Sequence, residues 1–162
     1  MSKTAKPAPP LERAPKGYGI RNLRETLIVA ESTRRSMQGN RSEGTKPEIN
    51  FRKALWDAGL RGYRKNAKRL PGTPDVVYGR AKLAVFVHGC FWHGCPKCTR
   101  NRSPKTNALY WSTKVETNRE RDERQKAALE AMGYRVLELW ECEVAPRVVG
   151  EAVERVRAAL AE

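Results

Sequence analysis

The 162-residue sequence lacks several features that would place it in other classes of protein. It has no apolar run approaching the roughly 20 residues that a membrane-spanning helix needs. Its N-terminus lacks the apolar core of a secretory signal, so we expect a cytoplasmic protein. It has only four cysteines, and in that compartment cysteines are metal ligands or free thiols more often than disulfides. The length suits one domain with a hydrophobic core.

Acidic residues are scarce in the first two thirds of the sequence. The net charge is +14, and the whole excess of Lys and Arg lies within residues 1–110. A basic surface on one part of such a protein most often binds nucleic acid, because Lys and Arg neutralise phosphates and release counterions. The alternative is a solubilising surface or a basic tail. Residues 1–16 hold four of the ten prolines, so we expect residues 1–33 to be a flexible basic extension and residues 34–162 to be the domain.

The spacing of apolar residues predicts an α/β fold with a mixed sheet flanked by helices. Thr45 and Glu48 form a capping box, which predicts a helix that runs through Leu60. Two β-branched runs at 75–78 and 83–87, joined by a turn at 79–82, predict a hairpin. A long charged helix is expected from a cap at Ser112 to about Met132, followed by a strand at 134–140 and a helix at 144–161.

The cysteine spacing indicates a structural metal site. Three cysteines lie close together in a loop that contains Gly and Pro, and the fourth follows the last predicted strand; they are Cys90, Cys95, Cys98 and Cys142. Four thiolates suit a tetrahedral Zn²⁺ ion and leave no open position for water, so the zinc would stabilise the fold and perform no chemistry. The alternative is four unrelated buried cysteines.

One carboxylate and both histidines lie close to the cysteine loop in sequence. Asp75 is the only acidic residue between Leu70 and Leu109, and its place at the start of a strand suits a Mg²⁺ ligand or, equally, a turn residue that bonds its own backbone. His88 and His93 are the only histidines. They could activate water or contact phosphate, or they could be alternative zinc ligands or structural donors.

Two adjacent aromatic residues lie between the histidines. Phe91 and Trp92 occupy the loop and follow no helical or strand period. Aromatic side chains in such a position more commonly fill a core, but in a basic protein they could instead insert between bases and expose a mismatch.

Several stretches of the sequence combine uncommon residue types at fixed spacing. They are Arg35-Ser-Met37, Thr45-Lys-Pro-Glu48, Leu70-Pro-Gly-Thr-Pro-Asp75, Ala84-Val-Phe-Val-His-Gly-Cys-Phe-Trp-His93, Tyr110-Trp-Ser-x-Lys114, Asn118-x-x-Arg-Asp122 and Gly133-Tyr-Arg-Val-Leu-x-Leu-Trp-Glu-Cys142. Together these stretches resemble the very-short-patch repair (Vsr) DNA mismatch endonucleases, and the resemblance covers about Arg34 to Val144.

This resemblance implies a restriction-endonuclease-like fold, similar to the PD-(D/E)xK nucleases, with an added structural zinc site. It implies a Mg²⁺-dependent enzyme that nicks DNA 5′ to the thymine of T:G mismatches, which arise when 5-methylcytosine deaminates. Asp75 and the main-chain carbonyl of Val87 would hold Mg²⁺. His88 and His93 would be catalytic, with His93 as the base, and Glu48 would lie near the active centre.

The resemblance also implies a set of DNA contacts. The side chains expected to intercalate or stack at the mismatch are Met37, Phe91, Trp92 and Trp111. We expect the Arg and Lys residues of 34–69, including Arg34 and Arg35, to hold the DNA backbone. Expected partners are double-stranded DNA with a T:G mismatch, a DNA cytosine methyltransferase, and mismatch-repair or defence-system proteins. We expect a monomer that does not bind membranes.

The sequence departs from the related patterns at two places. Val87-His88-Gly89 stands where the broader nuclease pattern has Glu-x-Lys, and Cys95 stands where some relatives place a histidine zinc ligand. Two other interpretations remain open. The first is a Vsr-like nickase of a restriction or phage-defence system with relaxed mismatch preference, and the second is a non-catalytic zinc DNA-binding module.

Overall fold

The computed structural model describes residues 43–101 and 106–162. Within them a four-stranded sheet packs with three α-helices, and the predicted α/β class with a mixed sheet is confirmed. The expected extension at 1–33 lies outside the described residues, as do Arg34, Arg35 and Met37. No helix in the described part of the chain is long and apolar enough to cross a membrane.

The elements follow one another in the predicted order, with one short strand added. They are α1 (Lys46–Asp57), β1 (Arg64–Lys65), β2 (Val76–Tyr78), β3 (Leu83–His88), a short 3₁₀ helix (Thr99–Asn101), α2 (Ala108–Ala131), β4 (Arg135–Trp140) and α3 (Val149–Ala161). Strands β1, β2 and β3 are antiparallel neighbours, whereas β3 and β4 run parallel. The parallel pair needs a crossover, which α2 supplies.

The core lies between one face of the sheet and helices α1 and α3. Alternate residues of β3 point to this face, because side chains in a strand alternate with period 2. The buried residues that form this core include Phe51, Leu55, Val76, Leu83, Val85, Leu139 and Val156. Residues Phe86 and His88 of β3 and Glu138 of β4 contact the same cavity as residues of α2, so α2 lies over the opposite face.

Helix α1 differs in detail from its prediction. It ends at Asp57 and not at Leu60, since Gly59 adopts a φ of +78° that terminates the helix. The expected capping box is not formed: the hydroxyl of Thr45 donates to Glu48 Oε1 at 2.7 Å and does not cap a backbone N–H. Glu48 Oε2 instead accepts from the backbone N–H of Gly44 at 2.8 Å.

Two further helix starts were predicted wrongly. Helix α2 begins at Ala108 after Asn107, which adopts a left-handed conformation, and Ser112 lies inside the helix with its hydroxyl bonded to the carbonyl of Leu109. Helix α3 begins at Val149, because residues 144–148 form turns that reverse the chain after β4. The first helix therefore begins earlier than predicted and the second begins later.

Candidate active site

Asp75 is fixed at the entrance to β2. The residue follows the buried Pro74, and its Oδ2 accepts a hydrogen bond of 2.8 Å from the backbone N–H of Val87 on β3. Burial raises the pKa of Asp75 to about 6, and the negative charge of Glu48 acts in the same direction, while the Val87 hydrogen bond opposes it. A buried carboxylate of this kind is ready to bind a cation, because a cation offsets the charge that burial disfavours.

Glu48 lies close to Asp75 and is itself buried, with 4% of its surface exposed. Besides its bonds to Gly44 and Thr45, it pairs with Arg52 at 3.4 Å. Arg52 Nη1 also donates to Asn66 Oδ1 at 3.2 Å. Glu48 therefore links the start of α1 to the carboxylate site, and its partners already account for its burial.

His88 occupies the last position of β3, with only 8% of its surface exposed. Its ring is stacked on Phe86 at 5.8 Å between centroids, and the rings of His93 and Trp140 lie at 4.5 and 5.5 Å. Its Nε2 lies 3.3 Å from Glu138 Oε1 on β4. The carboxyl ends of the parallel strands β3 and β4 therefore place this histidine at the floor of the site.

His93 is held from the side of α2. Its Nδ1 hydrogen-bonds Asp122 Oδ2, and Arg119 donates from Nε to the His93 carbonyl at 3.0 Å and from Nη2 to the Gly94 carbonyl at 2.5 Å. Burial on its own would raise the pKa of Asp122, but the hydrogen bond and positive charge of His93 hold that pKa below its usual range. A carboxylate on one ring nitrogen orients the imidazole and supports its action as a base at the other.

Asp122 is the site residue to which sequence reasoning assigned no role. It lies four residues after Asn118, so both occupy one face of α2. Asn118 donates from Nδ2 to the Trp92 carbonyl at 2.8 Å, and the same helical face presents Asp122 to His93. The spacing was visible within Asn118-x-x-Arg-Asp122, but nothing in the sequence indicated that this face meets the histidine loop.

The histidines and Asp122 form one chemical group beside an open cavity. Their ligand-type atoms all lie within 4.8 Å of one another. The cavity has a volume of about 480 Å³ and is lined by His88, His93, Gly94, Pro96, Arg119, Asp122, Glu123, Lys126, Glu138 and Trp140. Imidazoles, a carboxylate and cationic side chains around one cavity are suited to proton transfer at a phosphate ester.

The four cysteines form a separate group. Their sulfur atoms lie within 4.8 Å of one another, with the Sγ atoms of Cys95 and Cys142 at 3.8 Å, and none of the four is in a disulfide. Cys90 and Cys95 are fully buried. Burial raises the pKa of Cys142 to about 11. A bound cation would offset the cost of ionising these thiols, so the donor set fits a metal ion and suits Zn²⁺.

The cysteine group needs no histidine. His88 and His93 belong instead to the group with Asp122. The loop between β3 and α2 therefore contributes to both groups. Its thiols lie near the end of β4, and its His93 lies at the cavity together with His88 of β3. The main chain supports this arrangement through bonds from His93 N to the Gly89 carbonyl and from Cys95 N to the Cys90 carbonyl.

The expected aromatic residues meet beside the histidines. The rings of Phe91, Trp92 and Trp111 lie between 5.1 and 5.8 Å apart, and Tyr110 packs on Trp111 at 5.1 Å. Tyr110 and Trp111 are buried, while Phe91 and Trp92 are partly exposed. The cluster is small and separate from the main core, so it combines a packed base with an exposed aromatic edge.

Comparison with known proteins finds similarity to proteins named as endonucleases and nicking enzymes. The sequence profile of the family described as "DNA mismatch endonuclease Vsr" matches residues 28–100. The chain is 48% identical over 117 residues to a protein named type II nicking enzyme V.XorIIP from Xanthomonas oryzae pv. oryzae, covering 72% of this chain and 85% of that protein.

Two further relatives carry related names. The type II nicking enzyme V.NaeI from Lentzea aerocolonigenes is 44% identical, with 74% of each chain covered. The DNA mismatch endonuclease Vsr from Escherichia coli is 35% identical, with 67% of this chain and 68% of that protein covered. The region matched by the family profile, residues 28–100, includes both histidines and Cys90, Cys95 and Cys98.

Proposed function

Because the chain belongs to the Vsr family of DNA endonucleases, we propose that it nicks one strand of duplex DNA 5′ to the thymine of a T:G mismatch. The observation that carries this proposal is the meeting of His88, His93 and Asp122 within 4.8 Å. This group lies at the end of strand β3, whose Val87 also binds the Asp75 carboxylate. A nick requires one activated water and one stabilised phosphate, and this group contains the side chains for both tasks.

In this proposal Asp75 and the main-chain carbonyl of Val87 hold the catalytic cation. Bound Mg²⁺ would supply positive charge close to the scissile phosphate. Asp75 is held ready for this role by its 2.8 Å bond from Val87 N. Glu48 lies close to Asp75, and its negative charge disfavours the ionised form of Asp75 when no cation is bound. The two carboxylates together therefore favour binding of a cation.

His93 acts as the base that removes a proton from the attacking water. Its Nδ1 is engaged by Asp122, so the other nitrogen, Nε2, faces the reaction. Arg119 holds the backbone that follows the ring through the carbonyls of His93 and Gly94, which limits the movement of the imidazole. His88 contacts a phosphate oxygen from the floor of the cavity.

Selection of the mismatch depends on the aromatic residues. Phe91 and Trp92 present partly exposed rings on the packed base of Tyr110 and Trp111, and we assign to them, together with Met37, the opening of the duplex at the weakest pair. The exposed basic residues between α1 and β2 would hold the backbone. They include Arg61, Arg64, Lys65, Lys68 and Arg69, together with Arg34 and Arg35.

The four cysteines hold a structural Zn²⁺ ion in this proposal. Their Sγ atoms converge from the loop after β3 and the turn after β4, and four thiolates leave no position for a reactive water. The ion would tie the histidine loop to the sheet. We also propose that residues 34–162 act as a monomer in the cytoplasm, with residues 1–33 adding contacts to DNA or to a methyltransferase, repair or defence protein.

A second candidate is a nickase associated with a type II restriction system, with relaxed mismatch preference. It is favoured by the names of the relatives from Xanthomonas oryzae and Lentzea aerocolonigenes, both called type II nicking enzymes. The catalytic group would be the same, and the two candidates differ in how strongly a paired duplex is rejected.

The test is strand-resolved cleavage of end-labelled duplexes, one with a central T:G pair and one fully paired, in Mg²⁺ and in buffer without Mg²⁺. Nicking of the thymine strand in the mismatched duplex alone is the expected result. Equal nicking of both duplexes would favour the second candidate. Binding without nicking, in the parent and in Asp75→Ala alike, would reject both and leave a DNA-binding module.

A further inference from the structure

Glu138, to which the proposed mechanism gives no role, has two basic side chains as partners. It lies on β4 opposite Phe86 of the parallel strand β3. Its Oε1 lies 3.3 Å from Nε2 of His88, and its Oε2 accepts from Nζ of Lys126 at 3.0 Å. Each carboxylate oxygen therefore has a different partner, and the three side chains form a line from α2 to the floor of the cavity.

Aromatic neighbours fix the plane of the His88 ring but do not distinguish its two nitrogens. Phe86 stacks on it with an interplanar angle of 2°, and His93 and Trp140 pack at its sides. A rotation of the ring by about 180° about the Cβ–Cγ bond would exchange Nδ1 with Cδ2 and Nε2 with Cε1 with little change in packing. Among the described residues, Glu138 is the hydrogen-bond acceptor that makes the two orientations unequal.

We propose that Glu138 is a positioning residue for His88, because it accepts the Nε2–H hydrogen bond and thereby leaves Nδ1 as the nitrogen that meets the DNA, where the ring with a second proton on Nδ1 donates to a phosphate oxygen. The proposal rests on the assignment of His88 as the phosphate contact in the proposed function. In many proteins a carboxylate accepts a hydrogen bond from one ring nitrogen of a histidine and so orients the other nitrogen toward a ligand. Lys126 assists by holding Oε2, so that Oε1 alone faces the ring.

A purely structural role does not account for this arrangement. The side chains of Lys126 and Glu138 are 38% and 36% exposed, and ion pairs with that exposure contribute little to stability. His88, in contrast, is buried, so a change at Glu138 acts mainly on the histidine. The functional effect of replacing Glu138 is therefore expected to exceed its effect on the melting temperature.

The first experiment measures single-turnover nicking of the T:G duplex by zinc-loaded full-length protein. Glu138→Leu is expected to lower the maximal rate by roughly 10- to 100-fold, with the half-saturating DNA concentration unchanged. Glu138→Gln keeps an acceptor oxygen and is expected to restore most of the rate, and Lys126→Met is expected to lie between them. The matched control is Glu120→Leu, because Glu120 is an exposed carboxylate of α2 that does not line the cavity and makes no hydrogen bond to His88 among the described residues.

The second experiment identifies the protonated ring nitrogen by long-range ¹H–¹⁵N NMR of His88 at about pH 8. The parent is expected to carry its proton on Nε2, and Glu138→Leu is expected to move a measurable share of it to Nδ1. A proton on Nδ1 in the parent, or an unchanged pattern in Glu138→Leu, would overturn the inference. If the Leu variant fails to fold, Lys126→Met supplies the comparison, and a partial shift of the proton to Nδ1 with a partial loss of rate is then the expected result.

The two experiments separate this inference from the proposed function. If the parent nicks the T:G duplex and Glu138→Leu nicks at the parent rate, the inference is wrong and the proposed function stands. If the parent does not nick, the proposed function is wrong, and the NMR measurement still decides whether Glu138 orients His88.

Discussion

Asp75 and Val87 are joined across the β2–β3 hairpin by a hydrogen bond of 2.8 Å from the backbone N–H to Oδ2. The bond leaves Oδ1 without a hydrogen-bond partner among the described residues. It also brings the carboxylate next to the residue whose carbonyl is expected to share the cation. The hairpin therefore brings two residues that are 12 apart in the sequence into one ligand site. Two predictions depend on the chemistry of the Asp75 carboxylate.

The requirement for Mg²⁺ should depend on pH. The pKa of Asp75 is raised to about 6 by burial, so protons compete with Mg²⁺ below that pH. The half-saturating Mg²⁺ concentration is expected to rise about tenfold per pH unit as pH falls below 6, and to level off above it. Mg²⁺ titrations of nicking between pH 5.5 and 8 measure this, and a concentration that is flat across the range would contradict it.

The same carboxyl group should lower the stability of the metal-free protein at neutral pH. A folded-state pKa above the unfolded value means that its stabilising contribution is present below about pH 4 and is lost as pH rises through 6. Asp75→Asn is therefore expected to raise the melting temperature in Mg²⁺-free buffer at pH 8, and to raise it less at pH 5.5. Thermal melts followed by circular dichroism test this, and an equal change at both pH values would argue against it.

His93 and Asp122 should behave as one unit. Asp122→Asn keeps the shape of the side chain but removes the charge that orients and supports the imidazole. It is expected to lower the nicking rate by about 10²- to 10⁴-fold. Adding His93→Ala to it should cost little more, because the two side chains act through the same proton. Single-turnover rates of both single variants and the double variant give the answer; multiplicative losses would show independent roles.

Zinc should be bound by the cysteines and by them alone. Cys142→Ser is expected to lose most of the bound zinc and to lower the melting temperature by roughly 10 °C or more, since metal binding and folding are coupled. Metal analysis of the purified protein measures the content. His93→Ala serves as the control, because His93 lies in the other group and its loss should leave the zinc in place.

Gly94 should not tolerate a side chain. It adopts a φ of +66°, and an added Cβ would lie 2.6 Å from Arg119 Nη2 and 2.7 Å from Val115 Cγ1. Gly94→Ala is expected to displace Arg119 from the loop, to destabilise the fold by about 1–3 kcal/mol and to reduce nicking. Gly133→Ala is the matched control, because Gly133 has a φ of +78° and no atom within 4 Å. A similar loss of activity in both variants would indicate backbone strain and not crowding.

Features that depend on residues close together in the sequence could be predicted, whereas contacts between residues far apart in the sequence could not. The hairpin could be predicted because two β-branched runs flank a short turn, and this placed Asp75 at a strand entrance. The cysteines could be grouped because three of them share one loop. Nicking of T:G mismatches and the roles of individual residues remain predictions, since they came from resemblance and from residue chemistry.

Asp122 and Glu138 illustrate what the sequence did not reveal. They lie 29 and 50 residues from the histidines that they contact, on elements whose patterns gave no sign of their neighbours. Helix α2 is charged around most of its surface, so no apolar stripe indicated which face meets the loop. The start of α2 was missed because Asn107, in a left-handed conformation, precedes the helix, whereas the cap had been expected at Ser112.

The parallel pairing of β3 with β4 sets the order in which the enzyme can become active. Strand β4 ends at Trp140, so the partner of His88 and the fourth cysteine leave the ribosome only when most of the chain has been made. Domains fold as their segments emerge, and a parallel pair must wait for its crossover helix. A nascent chain thus carries both histidines before the strand that holds His88 in place has been made.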